Sequence, residues 1–289
     1  MDNVILIPTN GYEGTWPAIE YGAWVAQVTD APVVLLGVLE GSPGVDQPRS
    51  ALDDLLDRAS ALLKQKGLRF SVERQQGKCE AVVPPLARAH NGLTVLGPFG
   101  RPLLKRLIVG RSIHSLLESV DTPLLYVPHA CLPLRNLLIC VGGLGFEITA
   151  EHLAIRLGAA SGAKATLLHV APPIDLDYPT ARVERDHWRD LSTTDSLLGR
   201  NLRQGLETAR AAGMTASIKA RQGNVVEEIL AELRSADYDL VCMGSPHGFS
   251  SLRHLYEASV TDEVAEHATC PVLAARYVPE GAVGAEKNA

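Results

Sequence analysis

The chain has 289 residues, 46% of them apolar, and a formal net charge of −6, which suits about two globular domains and argues against disorder. That charge is spread out, with no basic stripe to neutralise phosphates, so a nucleic-acid partner is not expected. No apolar run reaches the roughly 18–20 residues that span a bilayer, Met1-Asp2-Asn3 opens no leader pattern, and five scattered cysteines read as reduced thiols of a cytoplasmic protein.

Val4–Pro8 is a continuous apolar run closed by Asn10-Gly11, the pattern of a strand buried on both faces. Trp16–Val28 repeats apolar residues at helical spacing, with Pro17 where the first turn tolerates it. Pro32–Leu39 is a second buried strand. Ser50–Gly67 is an amphipathic helix with Gly67 as its stop. Phe70–Gln75 then reads as strand, Glu80–His90 as helix, Gly92–Leu96 as strand, Ile108–Ser119 as helix and Pro123–Val127 as strand.

The same order follows again. Strand Leu137–Val141, helix Thr149–Ser161, strand Lys164–Val170 and a longer helix Thr193–Ala212 come first. Strand Ser217–Gln222, helix Val225–Ser235, strand Leu240–Met243, helix Ala258–His267 and strand Pro271–Ala275 complete it. Landmarks match in order. Asn10 and Gly142 lie 132 positions apart (142 − 10), as do Leu35-Leu36-Gly37-Val38 and Leu167-Leu168-His169-Val170. Leu96-Gly97 matches Met243-Gly244 at 147, and Thr122-Pro123-Leu124-Leu125 matches Cys270-Pro271-Val272-Leu273 at 148. A period this long means a duplicated domain rather than a solenoid. Strands alternating with helices imply right-handed crossovers and a parallel sheet covered on both faces. The expected domains are 1–130 and 134–279, with a flexible tail at 280–289. Prolines and a cysteine near His129–Leu134 mark the boundary. The linker is short, so the copies should pack together, through Leu124–Val127 and Val272–Ala275. Pro172–Arg189 is an insertion of the second copy and reads as a loop over the domain edge.

Each copy carries a glycine-spaced loop late in its course. In the first, Gly97-Pro98-Phe99-Gly100 is followed after nine residues by Gly110-Arg111-Ser112 at a helix start. In the second, Gly244-Ser245-Pro246-His247-Gly248 is followed after nine residues by Ala258-Ser259-Val260. Ligands of parallel sheets bind beyond the carboxyl ends of the strands. Glycines let backbone N–H groups approach an anion, and a helix N-terminus adds donors and a favourable dipole. The plainer reading is that these glycines only turn the chain between strand and helix.

The spacing Gly-x2-Gly-x9-Gly-(Ser/Thr), the Leu-Leu-x-Val second strand, Gly77 and Gly223 before a helix, and Asp237-Tyr238-Asp239-Leu240 leading into the loop resemble the universal stress protein family, twice over. The resemblance implies two doubly wound five-stranded parallel α/β domains of Rossmann-like type in tandem. It also implies ATP as ligand, with phosphates on the glycine loop, adenine near the second strand (Val38, Val170) and the ribose at Asn10. By that resemblance the site residues are Asn10, Val38, Gly97, Gly100, Gly110, Arg111 and Ser112 in the first copy. In the second they are Val170, Gly244, Gly248, Ser259 and Val260. Both copies depart from the pattern. The family's ribose-binding Asp is Asn10 in one and Gly142 in the other. Arg111 stands at the Ser/Thr place, Pro246 lacks an N–H donor, and Ala258 adds a methyl where a phosphate approaches. The first copy should therefore be the better site, by about two to four decades if two or three hydrogen bonds of roughly 0.5–3 kcal/mol are lost independently.

No nucleophile elbow, Walker loop or adenylation motif occurs, so a sensor that binds is expected rather than an enzyme. A scaffold acting through its paired domains and a weak nucleotide hydrolase are the alternatives. His247 and His254 near Cys242 and Cys270 match no ligand spacing, and no metal is expected. Trp16 and Trp24 read as core or interface packing, and a homodimer is an expected assembly.

Overall fold

The computed structural model describes residues 4–40, 49–99, 112–142, 148–171, 189–245 and 260–276. The first half contributes β1 (Ile5–Thr9), α1 (Trp16–Thr29), β2 (Val33–Leu39), α2 (Arg49–Gln65), β3 (Phe70–Gln76), α3 (Cys79–His90), β4 (Leu93–Leu96), α4 (Ser112–Ser119) and β5 (Leu124–Tyr126). The second contributes β6 (Asn136–Cys140), α5 (Ile148–Ser161), β7 (Lys164–Ala171), α6 (Leu197–Ala211), β8 (Ala216–Gln222), α7 (Val225–Ser235), β9 (Leu240–Ser245), α8 (Val260–His267) and β10 (Val272–Arg276). The strands form one ten-stranded sheet ordered β3-β2-β1-β4-β5-β10-β9-β6-β7-β8. Each half is a doubly wound parallel five-stranded unit, and the only antiparallel pair among the described strands joins them, β5 to β10.

Registers repeat between the halves. Ile7 pairs with Leu35, and Ile139 with Leu167, both at the offset of 132. At the seam Leu125 pairs with Leu273, which are equivalent positions 148 apart. A pseudo-twofold axis therefore passes through that pair, at the strands expected to join the copies. Apolar side chains from both halves merge into one core beneath α1, α2, α5 and α6. The opposite face carries two separate clusters, one under α3 and α4, the other under α7 and α8, with Leu117 touching both. The central strands are buried on both faces, whereas the edge strands β3 and β8 alternate with exposed polar residues.

Local signals explain the ends of the elements. Pro17 sits in the first turn of α1, and left-handed Asp30 (φ 52) and Asn91 (φ 47) stop α1 and α3. Gly77 (φ 144) and Gly223 (φ 150), a matched pair, turn β3 and β8 into the next helices at a φ that side chains resist. The long second-half helix was expected from Thr193 but starts at Leu197. Leu191–Thr193 forms a separate 3-10 turn, and extended Ser196 (φ −61, ψ 157) caps α6 through the Gly199 N–H. Helical spacing alone ran through that cap, because Ser, Thr and Asp there satisfy the backbone outside the helix. The expected helix starts at Ile108 and Ala258, and the 172–188 part of the insertion, lie outside the described residues.

Candidate functional site

The strand order places a topological switch between β1 and β4 in the first half, and between β6 and β9 in the second. Beyond β1 the chain turns through Asn10 and Gly11. A directed relay holds this turn: the Gly11 N–H donates to Thr9 Oγ1 (3.2 Å), which donates to Thr15 Oγ1 (2.6 Å), which donates to the Tyr12 carbonyl (2.8 Å). Thr9 and Thr15 are fully buried, so each hydroxyl needs such a partner. The loop after β4 lies against this turn. A Cβ on Gly97 would stand 2.8 Å from the Thr15 Cα and 3.1 Å from the Gly14 carbonyl oxygen. Gly97 is thus required for close approach of two backbones, whatever else it does.

Asn10 is buried. Its Nδ2 donates to Glu40 Oε2 (3.3 Å), and its Oδ1 accepts the Tyr12 N–H (3.4 Å). Glu40, just past β2, also accepts the Cys79 N–H through Oε1 (3.1 Å) at the start of α3. Lys78, the N-cap residue of α3, makes no side-chain cap, so a carboxylate from a neighbouring strand serves that helix N-terminus. Beside this turn lies a cavity of about 320 Å³ lined by Gly37, Leu39, Leu52, Asp53, Arg74, Gln75 and Gln76. It lies at the carboxyl ends of β2 and β3, one strand away from the switch point. Arg74 donates to Asp53 at 3.2 Å across it. Gly11 closes one flank, since a Cβ there would meet the Leu52 Cα at 2.8 Å.

The second half repeats the register with different residues. Thr9 pairs with Gly37 and Gly37 with Arg74; in the second half His169 pairs with Ala220. His169 is buried, and its Nδ1 lies 2.8 Å from the Val141 carbonyl oxygen. Strand alternation puts its imidazole on the α6 side of the sheet, the face on which Gly37 packs against Leu56 in the first half. Nearby, a buried Glu151 of α5 meets Gly205 of α6 so closely that a Cβ on Gly205 would stand 2.9 Å from its carboxylate. Helix α7 is capped locally by Asn224, whose Oδ1 accepts the Val226 and Glu227 N–H groups (3.0 and 3.2 Å).

Of the expected site residues, Asn10 begins the β1 turn and Gly97 packs against its far end at Gly14 and Thr15. Val38 is fully buried in the α3–α4 cluster, and Val170 is buried in its second-half counterpart. Gly244 lies within β9, Ser112 opens α4 and Val260 opens α8. Gly100, Gly110, Arg111, Gly248 and Ser259 lie outside the described residues, as do His247 and His254. Sequence reasoning missed Glu40, His169 and Arg74. A signal for His169 was present: one polar residue inside an apolar strand run is a buried polar group that must be satisfied.

The model of the universal stress protein family matches residues 133–276. No curated protein matches the sequence. Two crystal structures share the fold over nearly the whole chain. A universal stress protein from Archaeoglobus fulgidus is 17% identical, covering 96% of this chain and 99% of its own, with a TM-score of 0.67. A protein of unknown function from Pseudomonas aeruginosa is 14% identical, covering 94% and 92%, with a TM-score of 0.66.

Proposed function

The chain belongs to the universal stress protein family, and from that premise we propose that it is a cytoplasmic sensor that binds an adenine nucleotide, ATP, weakly and through its first half. The observation that carries this reading is the contrast at one pair of positions. Gly37 and Arg74 line a cavity of about 320 Å³, of the size that takes a small ligand (roughly 300–1,000 Å³), at the strand ends next to the turn that begins at Asn10. His169 puts an imidazole at the matching place in the second half. Arg74 offers a planar cation to a phosphate or a base, and Asn10 offers amide hydrogen bonds to a ribose hydroxyl. For that, Asn10 exchanges its Glu40 contact for the ligand. The protein acts as a binding module, because the turn beyond β1 presents hydroxyls already engaged with one another rather than a nucleophile beside a base.

Calorimetric titration of ATP into the full chain tests this. The expected result is sub-millimolar binding, weakened about 10- to 100-fold by Arg74→Ala through loss of a charged contact. Equal affinity in wild type and Arg74→Ala would place the ligand elsewhere. The scaffold reading has its own support in the Asn10–Glu40 contact, which ties the ribose-side residue into the fold. Absence of ATP binding at millimolar concentration favours it.

A further inference from the structure

The geometry points to a divalent metal site of the zinc type, built from His114 and Glu118 of α4 and Asp262 of α8, that clasps the two halves together at their pseudo-twofold axis. One suitable donor atom from each of the three side chains lies within 4.8 Å of the others. His114 and Asp262 are 148 residues apart (262 − 114), the same offset as the paired seam residues Leu125 and Leu273. They are one position of the duplicated domain, facing itself across the axis where α4 packs on α8. Identical residues there would set like against like; the chain has an imidazole on one side and a carboxylate on the other.

The distances fit a metal. His114 Nδ1 lies 3.2 Å from Asp262 Oδ2. Bonds of about 2.0–2.2 Å to nitrogen and oxygen, tetrahedrally arranged, put neighbouring ligand atoms about 3.3–3.5 Å apart. Glu118 follows His114 by four residues, so helix geometry places both on one face, and its Oε1 is now 3.4 Å from His114 Nε2. A single ion uses one ring nitrogen, so the site requires the Glu118 carboxylate to turn from Nε2 towards Nδ1, within the 4.8 Å that encloses one donor atom of each side chain. Asp262 is almost wholly buried, a fixed ligand, while the His114 side chain is 45% exposed, which leaves a path for the ion and room for a water as fourth ligand. Two carboxylates and a neutral imidazole sum to −2, the complement of a dication. The imidazole favours zinc, nickel or copper over magnesium or calcium. Spacing rules cannot find such a group, because its ligands come from different halves of the chain.

The test is calorimetric titration of zinc chloride into chelator-treated full-length protein, beside His114→Ala and Asp262→Asn. The nine histidines of the chain make some weak zinc binding unavoidable, so the reading is the difference between proteins. Wild type should bind one more zinc per chain than His114→Ala, with at least about tenfold tighter affinity for that ion. Zinc should raise the melting temperature of wild type and leave that of both variants unmoved. The half-exposed His114 tolerates alanine, so circular dichroism should show a folded variant in which only the zinc response is lost. Equal stoichiometry and affinity in wild type and His114→Ala would overturn the site, as would an equal zinc-induced rise in melting temperature in all three proteins.

Discussion

Gly37 with Arg74 in the first half, and His169 with Ala220 in the second, occupy one cross-strand pair of a duplicated sheet. The backbone register around them is the same. In one copy the strand next to the edge is bare and the edge strand carries a long cation; in the other the strand next to the edge carries a ring and the edge strand a methyl. Gly37 and Arg74 line a cavity in the first half, and the second half has a buried imidazole against the Val141 carbonyl. Conserved backbone hydrogen bonding can thus hold two copies in one fold while the chemistry at the strand ends diverges. The helix starts diverged too, with Glu40 reaching across to α3 where Asn224 caps α7 locally.

Exchanging the two positions breaks the comparison hardest. Gly37→His should fill the first cavity and weaken ATP binding about 100-fold or more, roughly 2.7 kcal/mol. Its Cβ would also press on the Leu56 side chain at 2.8 Å, so a loss of about 1–3 kcal/mol in stability is expected from urea unfolding. Affinity unchanged in a folded Gly37→His protein would separate the cavity from the ligand.

A second asymmetry sits on the far face. Glu232 of α7 is fully buried and accepts from Lys219 (2.8 Å), Arg221 (3.0 Å) and the Tyr238 hydroxyl (2.8 Å). The matching first-half position, 146 residues earlier (232 − 86), is Leu86. Burial raises the Glu232 carboxyl, but hydrogen bonds from Lys219 and Tyr238, the Lys219 charge and Arg221 outweigh it, leaving the group below its ordinary 4.5. A folded value below the unfolded one stabilises the fold above about pH 4.5, and that contribution is lost as pH falls through the folded value. Glu232→Gln should cost about 1–2 kcal/mol at pH 7, discounted because Lys219 is half exposed, and should flatten the acid limb of the stability curve. Hydrogen exchange followed as pH falls below the ordinary carboxylate range should then open the second half before the first. Simultaneous opening would show that the network does not set the difference.

Caps should give smaller, matched effects. Glu40→Ala and Asn224→Ala should each lower stability by about 1 kcal/mol, measured by thermal melting. Only Glu40→Ala should also change ATP affinity, because it removes the Glu40 contact of the Asn10 amide. The smallest expected effect concerns thiols. Burial pushes Cys270 up to about 12 and Cys242 well above its ordinary value, so neither should react with a disulfide reagent at pH 8 in the folded protein. The half-buried Cys131 should label first.

The architecture was legible because it rests on runs that sequence displays directly. Apolar stretches such as Val4–Pro8 and Leu137–Val141 became central strands, and the repeated Thr122–Leu125 and Cys270–Leu273 landmarks marked the seam. The start of α6 was not legible, because Ser196 competes with a helical period that continues through it. The site was legible only in part. Asn10 and Gly97 were found as a strand end and a loop glycine. Glu40 and Arg74 act by reaching sideways to neighbouring strands and helices, which depends on register. The His114–Asp262 contact needs two halves folded around an axis before its spacing means anything.

Nucleotide binding is proposed for the first half alone. Photolabelling of the full chain with an azido-substituted ATP, followed by peptide mapping, tests that most directly. Competable label is expected on peptides around Gly37 and Arg74. Competable label on the peptides carrying Val141, His169 or Ala220 would contradict it and make the second half the functional one.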